Sequence, residues 1–558
     1  MEPNKIRGGS VLAACLAAEK VNTIFTVSGG GLSPFYAACP DYGIRVVHTR
    51  HEYGACFMAD GWARATGEPG VCVTTLGPGL SNAITGMLSG MMGGIPIVFI
   101  SGCTPVSAWD MGTAQGFEHL PLVKPVTKYA KTFYETRRIS EYVANAFRLA
   151  RAGRPGPVFL EIPGDVLNGE VSDEQARPLT NYRTEARPLG DPSMIDQATE
   201  LLKEATRPIV IAGSGVFWSI ASSELQTFVT TASIPVFTGR IGRGTVPSDH
   251  PFYFGIASIS VNNVFLRALK EADVMLLVGG HFDYMLGFGR PPVFNPSVKA
   301  IQIDIVADEI GRNRAIEVGI VADARMALRQ LTDAVRNGTS RTDWIHVLQD
   351  EKKRVEVERA SRENSDDVPI YPLRLLKEIR GFLNRDAIIT CGSGDIDFWG
   401  EHYFEPNLPG GYLRSGQVGA LGSEIPYAVA AKLANPERQV LVLVGDGGFG
   451  YSAMELETAA RYHAPVVCVI GNDQAWAMIK EQQRAAFGPK GVVGTEMPDR
   501  SYEKLAAVFG GYGERVTRPD RLRGALERAF AAGVPAILNV NTRTDPSPEL
   551  QWMLRPKK

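Results

Sequence analysis

Five consecutive apolar residues, Val440-Leu441-Val442-Leu443-Val444, run without interruption into Gly445-Asp446-Gly447-Gly448. A second run, Val466-Val467-Cys468-Val469-Ile470, meets Gly471-Asn472-Asp473 in the same way. Short runs rich in β-branched residues and closed by turn-forming ones read as buried strands. Between them Met454, Leu456, Ala459 and Ala460 recur at helical spacing. The unit is strand, turn, helix, strand. It sets Asp446 and Asn472 at the carboxyl ends of two parallel strands, the edge where open α/β sheets bind ligands.

The same alternation continues through the chain. Strands are expected at 23–27, 45–49, 71–75, 97–101 and 158–162, and again at 209–212, 236–238, 274–278 and 300–305, with helical patterns between them. Polar stretches at 172–191 and 351–367 separate the segments. The expectation is an α/β protein of three doubly wound parallel-sheet domains, residues 1–172, 192–345 and 368–542, followed by a tail, 543–558. The first and third share a layout of short strands with glycine turns, which hints at an ancient duplication.

Size and charge narrow the function classes. With 558 residues the chain exceeds one core, and a formal net charge of −2 offers no electrostatic case for nucleic acid or an anionic membrane. No apolar run reaches transmembrane length, and the start, Met1-Glu2-Pro3-Asn4-Lys5, lacks the apolar core of a signal peptide. Seven cysteines without a C-x-x-C, most in apolar contexts (Cys15, Cys56, Cys72, Cys103, Cys468), fit buried reduced thiols and a cytoplasmic protein.

Asp446 and Asn472 offer hard oxygen ligands suited to Mg²⁺, which completes its shell with phosphate oxygens and water. Gly447, Gly448 and Gly450 allow backbone N–H groups to approach an anion. An Asp-Gly turn after a strand is the plainer alternative. A second constellation lies in the first segment. The sequence from Val46 to Glu52 ends a strand and opens a helix, with Glu52 in its first turn, where the helix dipole also favours an acid. Gly77-Pro78-Gly79-Leu80-Ser81-Asn82 then forms a glycine turn ahead of another helix.

Taken together, Arg50-His51-Glu52-Tyr53-Gly54-Ala55, Gly77–Asn82 and Gly445-Asp446-Gly447…Asn472 resemble the thiamine-diphosphate enzymes of the acetolactate synthase type, in order and over nearly the whole chain. The resemblance implies a pyrimidine-binding first domain, a Rossmann-like central domain and a diphosphate- and Mg²⁺-binding third domain. It also implies a cofactor site shared between subunits of a homodimer or homotetramer. Glu52 is then the carboxyl group at the pyrimidine N1′, a role that needs a desolvated site. The Mg²⁺ ligands are Asp446, Asn472 and the backbone oxygen of Gln474. Pro78, Asn82, Gly394, Gly419, Gly445, Gly447, Gly448 and Ala475 line the cofactor. Leu421 props it where many relatives carry Met, and Gln115 matches an active-site glutamine.

Within the family, the stretch from His281 to Pro292 with Val298–Asp304 is similar to the middle domain of 2-hydroxyacyl-CoA lyases and oxalyl-CoA decarboxylases. That likeness implies an acyl-CoA substrate, with cleavage of a 2-hydroxyacyl-CoA to formyl-CoA and an aldehyde or ketone. Arg240 and Arg243, in a glycine-rich turn, suit the phosphates of an ADP moiety, with Tyr284 and Arg290 nearby; solvated or acid-paired arginines are the alternative. FAD in this domain stays open. Gln115, His119, Glu481 and Glu496 are candidates for proton shuttling. Trp552, in the apolar end of the tail, is a candidate lid residue over the active-site mouth or part of a segment docked elsewhere. The rivals are a carboligase or lyase on free 2-keto acids or hydroxyketones, resembling acetolactate synthase or benzaldehyde lyase, and a non-catalytic structural paralogue.

Overall fold

The computed structural model describes residues 5–335 and 341–555. Met1–Asn4, read above for a targeting signal, and the last three residues of the tail lie outside the described residues. No helix among the described residues is long and apolar enough to cross a membrane.

Three six-stranded parallel sheets, each wrapped by helices, account for the strand runs. The first pairs, from edge to edge, Arg45–His48, Thr23–Val27, Gly70–Thr74, Ile97–Cys103, Val158–Pro163 and Tyr129–Thr132. The third pairs Tyr412–Arg414, Ile388–Cys391, Val440–Gly445, Val467–Asn472, Ala536–Asn541 and Tyr512–Val516. Numbered in chain order within each sheet, both run 2-1-3-4-6-5, so the shared layout extends to the strand order. The middle sheet pairs Tyr253–Ile256, Val236–Thr238, Pro208–Ala212, Val274–Val278, Lys299–Asp304 and Val318–Val321. Its order is 3-2-1-4-5-6, the dinucleotide-binding arrangement.

The central strands are fully apolar because helices cover both faces: Val440–Val444 and Val467–Ile470 are buried residue by residue. Most strands not anticipated from sequence are short or polar; the exception is Ala536–Asn541, a six-residue buried strand interrupted by Asn539. Tyr512-Gly513-Glu514-Arg515-Val516 lies at a sheet edge and carries no apolar run.

Two compact units divide the chain: residues 1–185 with 414–437 and 452–464, and residues 186–413 with 438–451 and 465–558. Residues 414–437 and 452–464, which flank strand Val440–Gly445 of the third sheet, thus cluster with the first unit. The physical reason lies in the first unit, where helix Glu424–Ala434 packs along helix Glu52–Thr66. A Cβ on Gly61 would come within 3.0 Å of Tyr427, so glycine permits the close crossing. Beside it, the buried Asp60 and Arg64 pair at 2.7 Å (Oδ1 to Nε), and the Tyr427 hydroxyl lies 3.1 Å from Asp60 Oδ2.

Candidate active site

Helix Glu52–Thr66 is capped by His51, whose Nδ1 accepts the Tyr53 N–H at 3.0 Å, so Glu52 is its first residue. Glu52 is half-buried in the single chain. Asn82 Nδ2 donates to Glu52 Oε2 at 2.9 Å, bringing together two residues that the sequence separates. Asn82 closes the short helix Pro78–Ser81, which is entered through Gly77 at φ +66°. A Cβ on Gly77 would lie 2.8 Å from Gln115 Cβ, so glycine lets the exposed Gln115 loop close on this turn. His119 is buried nearby. Its Nδ1 lies 2.9 Å from Glu161 Oε2, and its Nε2 faces the Gly77 N–H at the long distance of 3.4 Å. The Tyr53 hydroxyl donates to the Leu421 carbonyl at 2.5 Å, and Gly419, two residues earlier, is left-handed at φ +62°.

The other unit holds the metal-ligand candidates. Strand Val440–Gly445 delivers Asp446 and strand Val467–Asn472 ends on Asn472, with Gly445 and Gly471 in register. Asp446 is 2% exposed; its Oδ1 accepts the Gly447 N–H at 3.0 Å, and its Oδ2 has no hydrogen-bond partner among the described residues. Burial, with Asp473 alongside, pushes its carboxyl up to about 7. A buried carboxylate oxygen left unpaired is costly, and a bound cation removes the cost. Asn472 is oriented by its Nδ2, which donates to Asn539 Oδ1 at 3.0 Å, and its Oδ1 accepts the Gln474 N–H at 3.2 Å. Gln474 adopts φ +59°, and its carbonyl accepts the Met497 N–H at 2.8 Å with one lone pair to spare. Carboxylate, amide and carbonyl oxygens form a hard donor set that fits Mg²⁺. No group of three or more His, Cys, Asp or Glu among the described residues could hold a metal ion.

Gly447 has a second reason to be glycine: a Cβ there would fall 2.6 Å from the Trp476 ring. Gly448 and Ala475 are both buried. Gly394 caps helix Asp395–Tyr403 beyond the strand that pairs with Val440–Gly445, its N–H donating to Asp397 Oδ2 at 2.8 Å. Glu481 pairs with Arg484 at 3.1 Å and the exposed Glu496 with Lys480 at 3.2 Å, so both candidate shuttles have cationic partners.

In the middle domain a crevice is lined by Gly213, Ser214, Gly239, Arg240, His281 and Asp283. Arg240 donates from Nε to Asp283 Oδ2 at 2.9 Å, with its guanidinium 5.6 Å from the Tyr284 ring centroid. Arg243 is buried; its Nη2 donates to the carbonyls of Glu401 and Phe404 and its guanidinium lies 4.0 Å from the Tyr412 ring centroid, while its Nε and Nη1 have no hydrogen-bond partner among the described residues. Arg290 is exposed, with its Nε on the Asn313 carbonyl at 3.0 Å.

The tail docks beside the Asn472 strand end. Thr544 donates to Asp473 Oδ2 at 3.0 Å, Trp399 Nε1 to the Asp545 carbonyl at 2.7 Å, and the Ser547 N–H to Asp395 Oδ1 at 3.2 Å. Leu550 of helix Pro548–Met553 is buried, while Trp552 stays partly exposed.

Residues 6–122 match the N-terminal TPP binding domain of thiamine pyrophosphate enzymes, residues 195–331 their central domain and residues 392–540 their C-terminal TPP binding domain. The chain belongs to the thiamine pyrophosphate enzymes. Among relatives of this thiamine pyrophosphate enzyme, the acetolactate synthase large subunit IlvG of Mycobacterium tuberculosis is 37% identical over 97% of the chain and 96% of the relative. A probable acetolactate synthase large subunit of Methanocaldococcus jannaschii is 34% identical, covering 96% and 92%. The human 2-hydroxyacyl-CoA lyase 2 is 31% identical, covering 96% and 89%.

Sequence reasoning missed several residues of this thiamine pyrophosphate enzyme. Glu161 and Glu455 are buried acids, and Asn539 interrupts the buried strand Ala536–Asn541. A polar residue inside an otherwise apolar strand was the available signal for Asn539 and Glu161. Glu455 carries no such mark, because helices tolerate acids in their first turn.

Proposed function

We propose that this thiamine-diphosphate-dependent enzyme acts on free 2-keto acids in the manner of an acetolactate synthase, releasing one carboxyl group as CO₂ and joining the remaining acyl unit to the carbonyl carbon of a second 2-keto acid. The single observation that supports this most is the 37% identity with an acetolactate synthase large subunit across 97% of the chain. The side chains agree. In the middle-domain turn Arg240 is paired with Asp283, and Arg243 is buried with its Nη2 on the carbonyls of Glu401 and Phe404, so neither guanidinium stands open to solvent for the phosphates of coenzyme A.

Bound thiamine diphosphate supplies a nucleophilic thiazolium carbon and an adjacent electron sink. Glu52 holds a proton at the pyrimidine N1′, and Asn82 fixes the direction of its carboxyl group. Asp446, Asn472 and the Gln474 carbonyl would hold Mg²⁺, which would supply positive charge to anchor the diphosphate. Leu421, pinned through its carbonyl by Tyr53, supports the cofactor. Gln115, on the loop closed against Gly77, faces substrate, and the tail with Trp552 excludes water from the site. His119 and Glu161 hold the Gly77 turn. The working protein is a homodimer or homotetramer.

The second reading, cleavage of 2-hydroxyacyl-CoA, is favoured by the 31% identity with 2-hydroxyacyl-CoA lyase 2. Calorimetric titration of the holoenzyme with coenzyme A separates the two. The keto-acid reading expects no binding; saturable binding would favour the lyase.

A further inference from the structure

Glu455 is 2% exposed and opens helix Glu455–Arg461, with no part in the chemistry outlined above. Its carboxylate reaches the backbone where the Glu52 helix begins. The Arg50 N–H donates to Oε1 at 3.1 Å and to Oε2 at 3.3 Å, and the His51 N–H donates to Oε1 at 3.2 Å. Thr458 Oγ1 closes the set on Oε2 at 2.7 Å. A Cβ on Gly54 would stand 2.2 Å from Glu455 Oε1, so the glycine two residues after Glu52 is the space this carboxyl group occupies. The stretch Arg50–Gly54 is thus shaped on both sides of Glu52 to receive an acid from about 400 residues further along.

We infer that Glu455 is the positioning residue of Glu52: it clamps the two peptide N–H groups ahead of Glu52 and so fixes where that carboxyl group points. The inference rests on the reading of Glu52 as the pyrimidine partner. The clamp is geometric. In either protonation state Oε1 accepts both N–H groups, and the Thr458 hydroxyl serves Oε2 as donor or acceptor. Glutamine reproduces this pattern, with its amide oxygen on the N–H groups and its NH₂ on Thr458; alanine cannot.

The test uses the full-length holoenzyme with thiamine diphosphate, Mg²⁺ and pyruvate, measuring kcat, KM, cofactor affinity and thermal midpoint for Glu455→Ala, Glu455→Gln and Gly54→Ala. Glu455→Ala is expected to lower kcat about tenfold to a hundredfold with KM and cofactor affinity held, since small misplacement of a catalytic group has that effect. Glu455→Gln is expected to stay within about threefold of the parent. Gly54→Ala should reproduce the loss by displacing the carboxyl group, and should cost much less when combined with Glu455→Ala, because the two share one contact. Unchanged kcat in folded Glu455→Ala, equal losses in the Ala and Gln variants, or strict additivity in the double variant would each overturn the inference. Glu52→Gln in the same assay keeps the two readings apart. Full activity there removes the role of Glu52 itself, whereas an inactive Glu52→Gln beside a fully active Glu455→Ala removes only the clamp.

Discussion

Asn82 donates from Nδ2 to Glu52 Oε2 at 2.9 Å, joining the glycine turn to the first residue of the longest helix in its sheet domain. The contact consumes one carboxyl oxygen and leaves the other for a ligand. Glu52→Gln keeps the hydrogen-bonding shape and removes the proton exchange, so kcat should fall by about 10²–10⁴-fold while thiamine diphosphate still binds. Asn82→Ala should lower kcat less. Steady-state kinetics with cofactor titration measures both.

Asp446 Oδ2 is buried without a partner among the described residues, and a bound cation would satisfy it. Thiamine diphosphate with Mg²⁺ should raise the thermal midpoint of the parent protein, because a ligand that binds only the folded state stabilises it. In Asp446→Ala that rise should disappear, while the ligand-free protein is no less stable than the parent. Differential scanning calorimetry with and without Mg²⁺ reads both quantities.

Gly447 lies against the Trp476 ring with no room for a methyl group. Gly447→Ala should therefore destabilise the ligand-free protein by about 1–3 kcal/mol through overpacking. Chemical denaturation checks the figure, and Trp476→Leu should relieve part of it.

Burial pushes the Glu455 carboxyl up from 4.5 to about 7. The folded chain then holds this proton more tightly than the unfolded chain. Its contribution is neutral below about pH 4.5 and turns unfavourable as pH climbs to about 7, levelling off above. Glu455→Gln removes the titration, so the parent should lose stability relative to this variant across that window, by about 3 kcal/mol in all. Arg461, Thr458 and the Arg50 and His51 N–H groups, which favour the ionised form, face the same carboxyl group. Denaturation midpoints of both proteins from pH 4 to 8 provide the measurement.

The legible parts of this fold were those written in local pattern. Val440–Val444 and Val466–Ile470 announced parallel strands because helices bury both faces, and Asp446 and Asn472 followed from where such strands end. Tyr512–Val516 was illegible because an edge strand needs no apolar run. The packing of helix Glu424–Ala434 along helix Glu52–Thr66 was equally hidden, because the fit of Gly61 against Tyr427 is a contact between positions far apart in sequence. The burial of Arg243 was hidden for a related reason. A glycine-flanked arginine looks like a phosphate ligand until the carbonyls of Glu401 and Phe404 are brought beneath it.

Product analysis tests the proposed function most directly. The protein is incubated with thiamine diphosphate and Mg²⁺, first with pyruvate alone and then with short, branched and aromatic 2-hydroxyacyl-CoA thioesters. The acetolactate-synthase-like reading predicts a cofactor-dependent 2-hydroxy-3-keto acid from pyruvate and no formyl-CoA from any thioester. Formyl-CoA with an equivalent of aldehyde or ketone, and no product from pyruvate, would contradict it.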